Sequence, residues 1–308
     1  MVFCLELEDV IEEYLYHCMA KGFTPKTMKN KRQEMKQLRK FLMDEKGISE
    51  LEAINTLHLK QYVRAKHGEG LQPQSIVSMF KMVRAFFSWC QKEEYLKENI
   101  AKKVEMPKVP KKLLKGFTVQ EVSAMIDAFS YKNYIEARNK AIVAMLSDCG
   151  LRAMEIRGLL TKNVKETTIL VNGKGNKERI MFISPPLKKI LIRYERLRKE
   201  YLKDKIVKTD HYFLSYTADP LSHMGIYNVV KEAGKRVEVE EVRCSPHTFR
   251  HFFAVQCILN GIDIFTLSKL LGHSDVSTTQ RYLQSLEDFE LIKKAMPSSP
   301  LMNIGRSS

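Results

Sequence analysis

The sequence contains no long apolar run. A bilayer crossing needs roughly 20 mostly apolar residues, and here charged residues interrupt every apolar stretch well before that length, at a mean hydropathy of −0.28. The first residues run into acidic sequence without the basic segment and small-residue cleavage site of a signal peptide. These absences exclude a membrane-embedded chain, and we expect a cytoplasmic protein with no membrane partner.

Metal-ligand and nucleotide-binding patterns are also missing. The six cysteines lie far apart without a Cys-x-x-Cys pair, which favours free thiols over disulfides or a zinc site. His247 and His251 are four residues apart, but no Glu lies between them as a zinc-binding H-E-x-x-H motif requires. Neither a Walker A loop nor a dinucleotide fingerprint is present. We therefore expect no metal ion and no cofactor.

Acidic residues are scarce relative to basic ones. The chain of 308 residues has 51 Lys and Arg against 36 Asp and Glu, so its formal net charge is +15. Such a surplus suits a phosphate polyanion, an anionic surface or simple solubility, and the position of the charges has to decide. At roughly 150 residues per domain, the length predicts about two domains.

The first hundred residues predict a small all-α domain. Apolar residues recur at helical spacing over 7–20, 25–46, 56–66 and 73–94. The second of these helices opens with Thr24 as N-cap and Pro25 in the first turn, and it carries a basic face beside its apolar face. Among its cations, Lys29, Arg32, Lys36 and Lys40 would suit a phosphate polyanion. Such a face is also typical of a merely solvated helix surface.

A basic stretch containing prolines separates this domain from the rest. Residues 102–115 hold six lysines with Pro107 and Pro110 against one glutamate, a composition typical of an extended linker. Thr118 and Glu121 then form a capping-box pattern that opens a new helix. We divide the chain into a helical domain 1–106, a linker 107–117, a second domain 118–296 and a mobile tail 297–308.

The second domain is predicted to be mainly α with one small antiparallel β-sheet. Two β-rich runs, 168–172 and 178–183, flank a glycine-rich tip and predict a hairpin. Helices are predicted over 137–149, from 155 to 160, over 186–207 and from 221 onward.

Cations lie at two turns of this domain. Arg152 follows a helix end at Gly150 and precedes Glu155 by three residues, a pair that by itself is typical of a surface salt bridge. The glycine-rich hairpin tip carries three basic residues that suit a phosphate. Glycines are equally typical of an ordinary hairpin turn, however. These residues are Lys174, Lys177 and Arg179.

Imidazoles and a tyrosine complete the candidate site. His247 and Arg250 share one face of a predicted helix start, where both can reach one anion. His273 follows a helix end, and Tyr282 lies nine residues later. Each is also common as a structural residue. Together with the cations they suit attack by tyrosine on a phosphodiester, because a phenol of pKa about 10 needs nearby positive charge to act as a nucleophile.

With these residues the chain resembles the tyrosine recombinases of the phage integrase family, in general shape the bacterial Xer proteins. The resemblance covers nearly the whole chain. It rests on GLRAME at 150–155, GKGNKER at 173–179, HTFRH at 247–251, and LGH at 271–273 followed by TTQRY at 278–282. All six catalytic positions of the family are filled.

The resemblance implies a role for each residue. Tyr282 would attack the scissile phosphate, form a 3′-phosphotyrosyl bond and release a 5′-hydroxyl. Arg152 and Arg250 would clamp the non-bridging oxygens with their planar guanidinium groups. Glu155 would support Arg152.

Three further groups would handle protons and the phosphate. Lys174 would protonate the leaving 5′-oxygen, His247 would assist proton transfer at the tyrosine, and His273 would hydrogen-bond the phosphate. Because the covalent link preserves the energy of the phosphodiester, the reaction implied needs neither ATP nor metal.

The resemblance also implies an assembly. The helical core-binding domain and the catalytic domain would form a C-shaped clamp around double-stranded DNA. The candidate DNA contacts are then Lys29, Arg32, Lys36 and Lys40 on the basic helix face, with Lys177 and Arg179 at the hairpin. A last helix over 286–296 would dock on a neighbouring protomer and build a homotetramer on two synapsed sites, with accessory DNA-bending proteins as candidate partners. Since the chain opens directly with the core-binding domain, we expect no additional arm-binding domain.

Several functions remain open. Segments 252–256 and 260–264 resemble those of mobile-element integrases. This resemblance favours the integrase or transposase of a mobile element, associated with the nucleoid when bound to DNA. The alternative is a Xer-type resolvase of chromosome or plasmid dimers. Two more distant alternatives are a type IB topoisomerase and a sequence-specific DNA-binding protein without catalytic activity.

Overall fold

The structure is a computed structural model that describes residues 5–110, 115–173, 177–283 and 296. Over these residues the chain is mostly helical with one two-stranded antiparallel sheet, as the sequence predicted. Lys174, the predicted helix over 286–296 apart from its last residue, and the tail 297–308 lie outside the described residues. None of the described helices is both long enough and apolar enough to span a bilayer.

The chain divides into two units, Met1–Lys112 and Leu113–Ser308. The division falls within the predicted linker 107–117.

The first unit is built from four α-helices. They are α1 (Leu7–Ala20), α2 (Pro25–Lys40), α3 (Thr56–Gly68) and α4 (Pro73–Lys92). The start of α2 follows from its sequence, because the Thr24 hydroxyl accepts a hydrogen bond from the Thr27 N–H at 3.3 Å. A π-helical turn over Phe41–Glu45 continues α2, and Gly47 then takes a positive φ of 68°.

Aromatic side chains fill the centre of this unit. Phe80, Phe86 and Phe87 of α4 are fully buried in one core cluster, in which the ring of Phe86 contacts Tyr14, Phe87 and Trp89. The helical spacing of the apolar residues on α4 therefore marks a core. On α2 the selected cations all lie on the exposed side, which leaves them open to a ligand. They are Lys29, Arg32, Lys36 and Lys40.

The second unit holds eight α-helices and the hairpin among its described residues. The helices are α5 (Val119–Asp127), α6 (Tyr134–Cys149), α7 (Ala153–Arg157), α8 (Pro185–Leu202), α9 (His223–Arg236), α10 (Pro246–Leu259), α11 (Ile264–Leu271) and α12 (Ser277–Leu283). The predicted capping box at Thr118 and Glu121 opens α5, with both of its hydrogen bonds formed. α6 is buried nearly all round and packs against α5, α8, α9 and α10.

The hairpin has the predicted strands, β1 (Thr168–Asn172) and β2 (Glu178–Phe182). Its register pairs Thr168 with Phe182 and Asn172 with Glu178. The Gly173 N–H donates to the Lys177 carbonyl at 2.8 Å and closes the base of the tip.

Two predicted helices are too long. The helix expected over 155–160 is α7, which ends at Arg157 because Leu160 leaves the helix to bridge to His211. The helix expected over 186–207 is α8, which ends at Leu202. Ile206, which extended its apolar pattern, is exposed and does not pack into the core.

Candidate active site

Arg152 is positioned by the end of α6. Gly150 ends that helix with a positive φ of 57°, and a β-carbon added to it would lie 2.5 Å from Cδ1 of Phe253. Only glycine fits this turn. The Arg152 N–H and Nη1 then donate to the two carboxylate oxygens of Glu155, each at 2.8 Å. The side chain of Arg152 keeps 30% of its surface exposed and can reach a ligand.

Arg179 holds the same carboxylate from the other side. Its Nη1 and Nη2 donate to the two oxygens of Glu155 at 2.8 Å, and its Nε donates to the Leu270 carbonyl at 2.7 Å. Burial alone would raise the pKa of Glu155, but hydrogen bonds from Arg179 and Arg152 outweigh it and lower that pKa. Arg152, Glu155 and Arg179 form what we call the Glu155 cluster.

The position of Arg179 does not support the DNA contact that we expected of it. Its side chain is only 11% exposed, and its donors point at protein oxygens. Strand alternation carries a signal for this, because Arg179 pairs with the buried Val171 and lies on the same face of β2 as the buried Met181, two residues further on. Arg179 thus lies on the inward face of β2, whereas Lys177 is exposed at the hairpin base.

Arg250 is the most deeply buried cation of the site, with 2% of its surface exposed. Its Nη1 donates to the Gly150 carbonyl at 2.8 Å, and its Nη2 donates to the Leu271 carbonyl at 2.5 Å and to Nε2 of His273 at 2.9 Å. Burial lowers its pKa to about 10, with Arg152 lowering it further and Tyr282 raising it. Arg250 therefore stays charged at neutral pH, and no carboxylate among the described residues forms a salt bridge with it.

His273 is held as a neutral imidazole. Because Arg250 donates to its Nε2, the ring proton lies on Nδ1, which donates to the Thr279 hydroxyl at 2.8 Å. Burial, followed by the charges of Arg250 and Arg152, lowers the pKa of His273 to about 4. In this tautomer His273 orients Arg250. Donation to a phosphate, as predicted, requires a proton on Nε2.

His247 lies exposed in the first turn of α10, which Ser245 caps. The protein still covers part of its ring, and this partial burial, followed by the positive charges of Arg250 and Arg152, lowers the pKa of His247. It is therefore neutral at pH 7 and can accept a proton. Arg243 and His223 also act on it electrostatically. Neither residue is predicted from the sequence. Only the packing of α9 and the segment before α10 brings them to the site.

Tyr282 lies in α12, between two imidazoles. Its ring centroid is 6.2 Å from that of His273, with nearly parallel planes, and 5.4 Å from that of His251. The structure thus brings together five of the six predicted catalytic residues. The sixth, Lys174, lies outside the described residues. The hairpin base does reach the site, since a β-carbon added to Gly173 would lie 3.9 Å from Oε1 of Glu155.

No cluster of metal-ligating side chains is found in the described part of the chain. The site is instead made of cations, neutral imidazoles and a phenol. This donor set suits a phosphate group, because guanidinium groups can bind its oxygens while the phenol approaches phosphorus.

Two family profiles match the chain. Residues 115–288 match the phage integrase family, and residues 11–94 match the phage integrase N-terminal SAM-like domain. A curated relative, tyrosine recombinase XerD of Staphylococcus aureus (strain Mu50 / ATCC 700699), is 30% identical over 280 residues, covering 90% of this chain and 94% of the relative.

Solved structures share the fold. XerH site-specific recombinase bound to palindromic difH substrate aligns with a TM-score of 0.73 at 19% identity, over 96% of this chain and 84% of that one. A lambda integrase tetramer bound to a Holliday junction aligns with a TM-score of 0.72 at 16% identity, over 93% of this chain and 80% of that one. The profile matches and the XerD relative show that the chain belongs to the phage integrase family, the tyrosine-type site-specific DNA recombinases.

Proposed function

We propose that the protein cuts and rejoins double-stranded DNA through a 3′-phosphotyrosyl intermediate on Tyr282. One observation carries this proposal: Arg250 is buried and charged, has no carboxylate salt-bridge partner among the described residues, and lies within electrostatic reach of both Arg152 and Tyr282. A buried cation is stable only when its charge is compensated, and a phosphate diester would supply the missing negative charge beside the nucleophile.

The reaction follows from the chemistry of these groups. The Tyr282 oxygen forms a bond to phosphorus while the bond to the 5′-oxygen of the next nucleotide breaks. His247, neutral and exposed, accepts the phenol proton. The leaving 5′-oxygen takes up a proton, for which Lys174 is our candidate donor. Rejoining reverses these steps with a 5′-hydroxyl as the attacking group.

Arg152 and Arg250 would bind the non-bridging oxygens and stabilise the charge that develops in the transition state. Glu155 supports this arrangement by holding Arg152 through two hydrogen bonds. The reaction as proposed needs no cofactor.

The exposed cations of α2 would bind the DNA backbone, and Lys177 would do so at the hairpin. Contacts of this kind give affinity that falls with salt but little sequence preference. The lambda integrase neighbour was solved as a tetramer on a Holliday junction. By analogy we propose a homotetramer on two synapsed sites, joined through the segment 286–296.

For the biological role we propose the integrase or transposase of a mobile element, based on segments 252–256 and 260–264. A second candidate is resolution of chromosome or plasmid dimers, favoured by the similarity to relatives named tyrosine recombinase XerD. A plasmid carrying the joined element ends and a plasmid carrying two direct copies of a chromosomal dimer-resolution site would distinguish the two roles. Recombination of only one substrate assigns the role.

The decisive experiment is a suicide-substrate assay. Purified protein is incubated in EDTA with nicked DNA carrying the candidate site, and covalent adducts are detected as bands that survive SDS. We expect an adduct with wild type and with Tyr216→Phe, which changes an exposed tyrosine, but none with Tyr282→Phe. An adduct that persists in Tyr282→Phe contradicts the proposed nucleophile.

The same preparation tests the alternatives. Relaxation of supercoiled DNA by a monomer, at sites of little specificity, would indicate a type IB topoisomerase. Tight binding to the authentic site without any adduct would indicate a DNA-binding protein without catalytic activity.

A further inference from the structure

His251 is a buried imidazole to which the proposed reaction assigns no role. It directly follows Arg250 on α10 and is only 5% exposed. Its Nδ1 is buried and has no hydrogen-bond partner in the described part of the chain. A buried polar atom without a partner costs free energy, so packing, and not a hydrogen bond at Nδ1, keeps the ring of His251 in this position.

The ring of His251 lies against the nucleophile. Its centroid is 5.4 Å from that of Tyr282, with planes inclined by 51°, while His273 stacks on Tyr282 at 6.2 Å. Two imidazoles therefore flank one phenol ring. His273 is fixed by Arg250 and Thr279, but His251 has no such anchor at Nδ1 and relies on packing.

That packing comes from the beginning of the catalytic unit. A β-carbon added to Gly116 would lie 2.7 Å from Cδ2 and 3.3 Å from Nε2 of His251. The absence of a side chain at Gly116 therefore lets the backbone pack directly against the imidazole. The next residue, Phe117, packs on Phe249 of α10 with ring centroids 4.8 Å apart. Gly116, His251 and Tyr282 thus form a continuous row of contacts.

We propose that His251 is a positioning residue for Tyr282. The backbone at Gly116 holds the ring of His251, and this ring in turn fixes the position of the phenol ring. This inference rests on the proposed function of Tyr282. His251 transfers no proton in this role, and the contact between the two rings alone accounts for its effect on the position of Tyr282.

The test measures single-turnover adduct formation on the nicked substrate at saturating protein, together with DNA affinity and thermal unfolding. His251→Ala should slow adduct formation about 10- to 100-fold, the usual cost of a misplaced reacting group, with unchanged DNA affinity. His251→Phe keeps a ring and removes the unpartnered nitrogen, so it should restore the rate. Cys257→Ala, at another buried position on α10, should lower stability without slowing cleavage.

Gly116→Ala gives a second readout. We expect it to slow adduct formation in the wild-type background and to have no further effect in His251→Ala, because the added methyl acts through the imidazole. Two independent structural defects would instead add.

Three results would overturn the proposal: a wild-type rate in His251→Ala, a rate in His251→Phe as low as in His251→Ala, or additive effects of the two variants. Absence of any adduct in wild type would count against the proposed function itself.

Discussion

Replacing Arg179 by alanine tests how the Glu155 cluster supports catalysis. The change removes three hydrogen bonds of 2.7–2.8 Å, two of them to Glu155. Glu155 is only 4% exposed and, among the described residues, would keep Arg152 as its one salt-bridge partner. Removing one member of a buried ion pair costs about 3–5 kcal/mol. Typical domains have 5–15 kcal/mol of stability, so we expect the variant to fold with a clearly lower melting temperature.

The same variant should lose activity. Once Arg179 is absent, Glu155 can rotate, and Arg152 no longer has a fixed partner. A displacement of about 1 Å in a group that binds the reacting phosphate typically costs about 100-fold in rate. Arg179→Lys should give an intermediate loss, because one ammonium group cannot donate to both oxygens of Glu155 and to the Leu270 carbonyl.

The measurement combines thermal unfolding with single-turnover cleavage at saturating protein. Lys177→Ala is the matched control, since Lys177 is exposed on the same hairpin. It should weaken DNA binding without changing stability. If Arg179→Ala is as stable as wild type and loses only salt-dependent DNA affinity, Arg179 contacts DNA and the assignment made here is wrong.

Lowering the pH should weaken the hydrogen bonds of the Glu155 cluster. The pKa of Glu155 is lowered in the folded state, so its contribution to stability is present above the unfolded pKa of about 4.3 and is lost as pH falls through the folded value. The drop in stability below that unfolded pKa should be smaller in Arg179→Ala than in wild type, as measured by denaturant unfolding. An equal drop in both would mean that Arg179 does not depress this pKa.

Three further predictions follow from other parts of the structure. Each single alanine substitution among the four exposed α2 cations should reduce the salt slope of DNA binding by about 1, whereas Arg39→Ala, which removes a partner of Glu8, should change it less. The pKa of His273 is lowered to about 4 in the folded protein, so the free energy of unfolding should decrease as pH falls from about 6.5 towards 4, where only the unfolded chain takes up the proton. His273→Gln should reduce this pH dependence. Gly150→Ala should destabilise the fold by about 2–4 kcal/mol, from backbone strain plus the clash with Phe253. Gly261 has open space around it, so Gly261→Ala should cost only the strain of its positive φ. Equal losses of stability in the two variants would exclude a contribution from the clash.

The sequence predicted elements where one local rule dominates. Thr24 and Thr118 mark helix starts because a hydroxyl can satisfy a free N–H, and glycines at the hairpin tip mark the turn. The four motifs likewise brought together Arg152, Arg250 and Tyr282. Local rules failed where tertiary contacts compete with helix propagation, as at Leu160, which pairs with His211.

The supporting residues of the site were harder to predict. Charge alone predicts Arg179 as a DNA contact, although strand alternation places it on the inward face of β2. Arg243 and His223 act on His247 only through the packing of distant segments. No spacing rule in the sequence relates those segments, so the electrostatic surroundings of His247 follow only from the structure.

The protonation states of the described site differ from those that phosphate binding would favour. His273 is neutral, and its Nε2 accepts a hydrogen bond from Arg250, so this nitrogen offers no proton to a ligand. Much of the depression of its pKa comes from burial and from neighbouring guanidinium groups. A phosphate diester between Arg250 and Arg152 would offset their charge and raise the pKa of His273. The imidazole could then donate to the phosphate, so the hydrogen bond predicted from the sequence would form only after DNA is bound.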